Sequence, residues 1–222
     1  MTPRSTRIST TRRLLSAGVA VGILLPLVVL IDGATRTGYS LWRNGVSQLG
    51  TGDRAWLFAT TFVIGGLLLA LFAIGLRGAL GGRKGGTWGP IMLVVAAVGF
   101  VVGGLVPTDP ALGYPTNETG PASAAAAIHQ VAGLLIFAGI AAAAFIVARR
   151  IAEDGQGWAI YSRVSGVLII ALAFAAGIAY RLDSQDIWRP GPAGLLEQVS
   201  LIVGYIWLVV IARHYLRRSQ AR

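Results

Sequence analysis

Three residues whose side chains can perform acid–base chemistry lie beside long apolar runs of this chain: Asp109, His129 and Glu197. Asp109 stands between Pro107 and Pro110, whose fixed φ angles restrict the backbone around it. His129 and Glu197 each fall roughly one turn inside an apolar run. A charged group at the middle of a membrane helix costs about 2.5–3.5 kcal/mol, and the cost falls toward the membrane surface. We therefore expect these two side chains to have polar partners or to face a wet cavity.

Such a set predicts either catalysis or ligand binding. Poor solvation favours the protonated form of a carboxyl group, so Asp109 or Glu197 would act as the acid, with His129 as the base or as an orienting residue. A second group of polar residues on the same predicted face would bind the ligand: Ser47, Gln48, Asp53, Arg181 and Asp183. Each of these side chains, taken alone, is equally typical of a loop ion pair or a packing hydrogen bond.

The elements that position these residues are predicted to be membrane-spanning helices. The chain has 222 residues, of which 55% are hydrophobic and 13% are charged, whereas about a quarter of the residues in a soluble domain are charged. Six stretches are almost free of charge and long enough to cross a hydrocarbon layer about 30 Å thick. They are Leu14–Ile31, Trp56–Leu76, Gly89–Val106, Ala124–Ala148, Val164–Tyr180 and Leu195–His214. The sequence therefore predicts an all-α integral membrane protein, a six-transmembrane-helix bundle forming one membrane domain over residues 1–222.

The placement of charge predicts the orientation of this bundle. With six spans the two termini share a side, and that side carries fourteen of the 19 Lys and Arg residues. The opposite side carries five basic residues and seven of the 9 acidic ones. Short loops rich in Lys and Arg stay in the cytoplasm, so we expect cytoplasmic N- and C-termini and an extracytoplasmic polar cluster. The net charge of +10 then serves contact with anionic membrane lipids, and nucleic acid is not an expected partner.

Residue types argue against several cofactors. A haem with two axial histidines needs both in one membrane layer, but His129 and His214 fall near opposite ends of their spans. A zinc site with several histidines fails for the same reason. The glycine-rich segment 81–86 lacks the phosphate-loop pattern, and no serine stands in a nucleophile motif. The outer carboxylates with His129 would suit Mg²⁺ or Ca²⁺, but no ligand spacing requires a metal. We predict neither a metal nor a cofactor.

Several short motifs follow one another in a recognisable order. They are Ser47-x-Leu49-Gly50, Gly65-Gly66-Leu67-Leu68, Gly104-x-x-Pro107-x-Asp109, His129 and Gly194-Leu195-Leu196-Glu197. This order, from about residue 14 to 215, resembles the DUF998 family of small bacterial multi-span membrane proteins, whose function is unknown. The resemblance implies a six-span fold in the bacterial plasma membrane and implies no reaction.

Three classes of function remain open. The first is a non-catalytic membrane protein that binds a lipid, an amphiphile or a partner protein through the outer polar cluster. The second is a small intramembrane enzyme that performs acid–base chemistry on a lipid or isoprenoid substrate. The third is a transporter, for which six spans are few and charges at mid-bilayer are missing from the first three. We rank them in this order. Convergence of Asp109, His129, Arg181 and Glu197 around one cavity would favour a ligand site or an enzyme over separate structural roles.

Overall fold

The computed structural model describes residues 3–81, 86–116, 118 and 122–219, with residues 3–9 described by their backbone only. Within these ranges the chain forms six α-helices and no β-strand. They are α1 (Pro3–Thr35), α2 (Ala55–Leu80), α3 (Trp88–Leu105), α4 (Ala124–Ile151), α5 (Gln156–Ser184) and α6 (Ala193–Arg218). Each contains a stretch long and apolar enough to cross a membrane. The predicted all-α multi-span fold is confirmed.

Most of the helices extend past the apolar runs that predicted them. One such difference is at α5, which begins at Gln156 rather than at Val164. Arg163 ended the charge-free run in the sequence, but arginine has good helix propensity, and its exposed side chain is free to reach water. Hydropathy therefore located the part of each helix at membrane depth, and the helices continue beyond it.

The six helices form a closed ring. Each helix packs against the next one in the chain, and α6 packs against α1. Large fully buried side chains such as Phe72, Phe100 and Trp207 fill the interior. Phe100 of α3 faces Tyr205 of α6 across it, with ring centroids 6.4 Å apart. The interior of the ring is thus a packed core.

Helices α3 and α4 approach each other most closely at glycines. A Cβ atom at Gly99 would lie 2.6 Å from the Ala132 carbonyl oxygen, and one at Gly139 would lie 2.7 Å from that of Met92. Small residues allow such backbone contact between membrane helices. At Gly103, one turn after Gly99, the nearest atom to a Cβ would be 3.8 Å away, so the closest approach of α3 to α4 is at Gly99 rather than at Gly103.

The connections divide the molecule into two ends. The end formed by segments 36–54, 106–123 and 185–192, in their described parts, is called the loop end below. Hydrogen bonds join these segments, for example from Arg36 Nη1 to the Tyr114 hydroxyl (3.2 Å). The opposite end, the tail end, holds the start of α1 and the end of α6; there His214 Nε2 lies 2.9 Å from Asp154 Oδ2. All eight predicted site residues lie at or near the loop end.

Candidate functional site

An ion-pair network fastens the first loop to the end of α1. Asp32, near the end of α1, accepts hydrogen bonds from Arg36 Nε (3.0 Å) and Nη2 (2.6 Å). Its other oxygen, Oδ1, lies 3.3 Å from Nη2 of Arg54. Arg36 also donates to the carbonyl of Thr51 (2.9 Å) and to the hydroxyl of Tyr114. Because Asp32 and Arg36 are both buried, removing either would leave an uncompensated charge. The network holds the loop in place.

A second buried pair joins the first loop to α5. Arg43 donates to both carboxylate oxygens of Asp183, from Nε to Oδ2 (2.8 Å) and from Nη2 to Oδ1 (2.6 Å). Oδ2 also accepts the backbone N–H of Gly191 (2.8 Å). Asp183 is only 1% exposed, and its hydrogen bonds raise the pKa of Arg43. Asp183, predicted as a ligand residue, therefore has its carboxylate engaged within the protein.

Gln48, another predicted ligand residue, connects the first loop to the second. Its Nε2 donates to the Ala111 carbonyl (2.8 Å), and its Oε1 accepts from Asn44 Nδ2 (2.8 Å). Both Gln48 and Asn44 are buried. These bonds, with the two ion pairs, make the three loop segments one hydrogen-bonded layer, called the loop layer below.

Glu197 lies directly beneath this layer. Its carboxylate accepts hydrogen bonds from the backbone N–H groups of Val46 and Ser47, which begin a short 3-10 helix, Val46–Gly50. The first N–H groups of a helix have no partner within it, so a carboxylate satisfies them well. A Cβ atom at Gly45 would collide with Glu197 Oε2. Among the described residues, no Lys, Arg or His side chain forms an ion pair with Glu197.

Two tyrosines contribute polar groups to this region. The Tyr39 hydroxyl is 3.0 Å from the carbonyl oxygens of both Asn44 and Gly45. Burial raises the pKa of Tyr39, and the charge of Glu197 raises it further. Tyr205 lies about two helical turns after Glu197 on α6. It is 2% exposed, and its hydroxyl has no hydrogen-bond partner in the described part of the chain. Leaving a buried hydroxyl unpaired costs about 1–3 kcal/mol, so the fold maintains an unfavourable group at this place.

A cleft between α1 and α6 opens beside Tyr205. Its free space for a water-sized sphere is about 10 Å³, close to the least that one water molecule needs. An apolar chain therefore fits there only if the lining side chains move apart. Leu30 at its edge is 37% exposed on the outer surface of the ring, so the mouth opens sideways, toward lipid. The lining residues are Pro26, Val29, Leu30, Val46, Gln198, Leu201, Ile202 and Tyr205.

Two residues of α1 explain why a cleft lies at this level. A Cβ atom at Gly22 would lie 2.7 Å from the Tyr205 carbonyl oxygen, so the two helices touch through their backbones there. Roughly one turn later, Pro26 removes a helical hydrogen bond, and its ring crowds the preceding turn. The close contact below and the proline above leave space between the helices, which Val46 of the loop layer covers.

Gln198 is also among the residues that line the cleft, although no polar surface is exposed there. Its Nε2 donates to the carbonyls of Leu41 (2.8 Å) and Gly194 (3.1 Å). No hydrogen bond to its Oε1 occurs among residues that the structure describes. Gln198 is 5% exposed, and it lies at the top of an otherwise apolar wall.

Asp109 and His129 lie at the α3–α4 connection, away from this cleft. The Nδ1–H of His129 donates to the carbonyl of Val106 (2.7 Å) at the end of α3, since a carbonyl can only accept. Asp109 accepts from the Ser123 hydroxyl (2.6 Å) and backbone N–H (2.7 Å), and Ser123 caps α4. The Ser123 hydroxyl and N–H lower the pKa of Asp109. The expected preference of Asp109 for its protonated form is therefore wrong.

The structure brings only part of the predicted set together. Ser47 contacts Glu197 through its backbone, and Gln48 follows in the same short helix, whereas Asp53 and Arg181 are exposed. Asp109, His129 and Glu197 make separate hydrogen bonds. Within the described ranges, no three His, Asp or Glu side chains are grouped closely enough to hold a metal ion.

Sequence reasoning missed several residues that shape this region, among them Arg36, Tyr39 and Tyr205. Arg36 follows Asp32 at a four-residue spacing, which is typical of a helical ion pair, so that signal was present. Tyr205 follows Glu197 by about two helical turns on α6 and was visible as a polar residue in an apolar run. Tyr39 gave no signal, because its position depends on the path of a loop.

The fold and the groups at the loop end define a class: a multi-span helical membrane protein with a lipid-facing cleft beneath a hydrogen-bonded loop layer. The family model described as "Protein of unknown function (DUF998)" matches residues 19–214, which is most of the chain. This protein belongs to the DUF998 family. Comparisons with curated proteins and with solved structures found no match.

Proposed function

We propose that this protein binds the apolar chain of a membrane amphiphile in the α1–α6 cleft. The observation that carries the proposal is Tyr205, which lines a cleft that opens toward lipid and whose buried hydroxyl is unpaired. Buried polar groups are normally paired, so an unpaired one at a cleft is a natural contact for a ligand. The apolar wall would hold the chain, and the polar groups would hold its head.

The amphiphile would belong to the extracytoplasmic leaflet of a bacterial plasma membrane. This orientation follows from the excess of Lys and Arg at the tail end, which the positive-inside rule assigns to the cytoplasm. The loop layer would then cover the cleft on the extracytoplasmic side, and membrane lipids would be the immediate partners.

Acid–base catalysis on the bound amphiphile is the second candidate. One observation favours it: Glu197 adjoins the cleft through its hydrogen bond to Val46 and through its neighbour Gln198. Asp109 and His129 have their hydrogen bonds at the α3–α4 connection instead. Such chemistry would therefore rest on Glu197 without those two residues.

The test is to block the cleft and measure which lipids remain bound. Ile202→Trp places a large side chain in the cleft lining, whereas Ile206→Trp places the same side chain on the same helix at a position that is 52% exposed. Each variant is purified in a mild detergent, and co-purifying lipids are identified and quantified by mass spectrometry. We expect wild type and Ile206→Trp to retain the same amphiphile in near-stoichiometric amount, and Ile202→Trp to lose it.

Two further variants separate this site from the α3–α4 connection. Asp109→Asn and His129→Ala should retain the amphiphile, because their hydrogen bonds lie away from the cleft. If all the variants and wild type carry the same lipids in the proportions of the host membrane, the cleft selects nothing and the proposal is wrong.

A further inference from the structure

The turn between α5 and α6 presents two large apolar side chains to the outside of the protein. Residues 184–190 are all exposed, and among them Ile187 is 68% and Trp188 is 50% exposed. Trp42 of the first loop extends this surface. It is 49% exposed, and its Nε1 donates to the carbonyl of Pro190 (3.3 Å). Trp42, Ile187 and Trp188 are called the apolar tip below. Large apolar side chains grouped on a surface indicate contact with a partner or with a membrane.

Hydrogen bonds hold the apolar tip in place. The backbone N–H groups of Ile187 and Trp188 both donate to the Leu182 carbonyl, at 3.0 and 3.2 Å. The turn ends at Gly191, whose N–H donates to the buried carboxylate of Asp183 (2.8 Å). The tip therefore stays level with the last turn of α5, and its exposure belongs to the folded turn.

Helix lengths indicate where the tip lies relative to the membrane. Exposed arginines of membrane helices place their charge at the membrane surface, and toward the tail end these include Arg163 of α5 and Arg213 of α6. With a rise of about 1.5 Å per residue, Ser184 lies about 31 Å from Arg163 along α5. Leu195, whose N–H donates to the Trp42 carbonyl (3.1 Å), lies about 27 Å from Arg213 along α6. Both lengths are close to the hydrocarbon thickness of about 30 Å, so the apolar tip lies at the opposite surface of the hydrocarbon.

The charges beside the apolar tip cancel. Arg189 Nη1 lies 2.5 Å from Asp186 Oδ1, and both side chains are exposed. The turn therefore offers an anionic headgroup no net attraction. Its partner should be recognised by apolar and aromatic contact.

We propose that the apolar tip inserts into the interfacial layer of the membrane, between the hydrocarbon and the water. This layer is about 5–8 Å deep on each side of the hydrocarbon, and tryptophan favours it because its ring is apolar while its N–H is polar. The surface of the tip is continuous with the lipid-facing side of α6, through Leu195. A soluble protein partner would need the tip to stand in water instead. The proposal is independent of the α1–α6 cleft.

Single-cysteine labelling tests the depth of the tip, because the chain has no cysteine of its own. Ile187→Cys reports on the tip. Two exposed positions on the same helix give the references: Phe174→Cys, about 16 Å along α5 from Arg163, for hydrocarbon, and Gln156→Cys, about 10 Å before Arg163, for water. Each full-length variant carries a nitroxide spin label in phosphatidylcholine nanodiscs. Electron paramagnetic resonance measures its collisions with oxygen, which concentrates in lipid, and with a water-soluble nickel chelate.

We expect the label at residue 187 to collide with the nickel chelate severalfold less than the label at residue 156. It should collide with oxygen less than the label at residue 174. Adding phosphatidylglycerol should change neither result, because the charges of the turn cancel. If the label at residue 187 is as accessible to the nickel chelate as the label at residue 156, the tip stands in water and the proposal is wrong. Insertion that requires phosphatidylglycerol would also contradict it.

The native tryptophan provides a test without a label. The fluorescence that is lost in Trp188→Phe is obtained by subtraction from wild type, in nanodiscs whose lipids are brominated either near the headgroup or near the chain end. We expect the bromines near the headgroup to quench it more strongly. Equal absence of quenching by both lipids would overturn the proposal, and stronger quenching from the chain end would place Trp188 below the interfacial layer and overturn it as well.

Discussion

Replacing Arg43 with alanine should be among the most destabilising single changes at the loop end. Asp183 would keep only the Gly191 N–H as a partner, and its side chain has 0% exposure to water. Removing one member of a buried ion pair typically costs about 3–5 kcal/mol, because the other charge remains buried without compensation. Asp183→Asn should cost somewhat less, since the Arg43 side chain is 18% exposed and is partly able to regain water.

These energies convert into a measurable shift. For a chain of 150–250 residues, 1 kcal/mol changes the unfolding midpoint by about 2–4 °C, so the loss amounts to roughly 6–20 °C for Arg43→Ala. The assay heats the purified protein in detergent at one scan rate and follows the remaining folded fraction by size-exclusion chromatography. Arg189→Ala is the matched control. Its pair with Asp186 lies in the same region but is 55% and 70% exposed, so it should cost no more than about 1 kcal/mol.

The double variant Arg43→Ala, Asp183→Asn decides the reasoning. If the two charges depend on each other, the double variant should be less destabilised than the sum of the single ones, with a coupling of about 1–3 kcal/mol. Single costs below that of Arg189→Ala, or strictly additive costs, would refute the idea that this pair fastens the first loop to α5.

Two further predictions concern packing and pH. Gly194→Ala should destabilise the fold by about 1–3 kcal/mol, because the added Cβ would lie 2.8 Å from the Asn44 carbonyl carbon. The control is Gly133→Ala, where no atom would lie within 4 Å of the added Cβ. It should be neutral or stabilising in the same thermal assay. Because the Asp109 pKa is lowered below its ordinary value of 3.8 by Ser123, its stabilising effect should be present above that pH and should disappear as the pH falls through the folded value. The midpoint difference between wild type and Asp109→Asn, measured from pH 7 to pH 3, should therefore be constant near neutrality and shrink in acid; a difference that grows in acid would contradict it.

The fold could be predicted because the bilayer imposes a strong rule. Only helices satisfy their backbone groups in hydrocarbon without forming a closed barrel, so six apolar runs meant six helices. The extra helical turns, such as those before Val164 in α5, could not be predicted in this way. Outside the membrane, water solvates an arginine side chain such as that of Arg163 whether or not its backbone is helical, so hydropathy carries no information there.

The site was harder to predict because partners across the loops are not encoded by local spacing. Glu197 was identified because a charged side chain inside an apolar run is energetically costly. In the fold, backbone N–H groups that donate to its carboxylate offset this cost. Asp109 and His129 were grouped with it because all three share one end of the bundle, but depth in the membrane does not determine the position around a ring of helices. Asp109 accepts a hydrogen bond from Ser123, and His129 donates one to the Val106 carbonyl, so both residues have their partners at the α3–α4 connection.

The loop layer also determines by which route an amphiphile could come and go. Arg36, Arg43 and Gln48 tie its segments together, so reaching the cleft from the aqueous side would require breaking several bonds at once, whereas the sideways mouth requires none. Occupancy would then depend on the mole fraction of the amphiphile in the surrounding leaflet rather than on its concentration in water. Chain order and bilayer thickness would set how fast it exchanges.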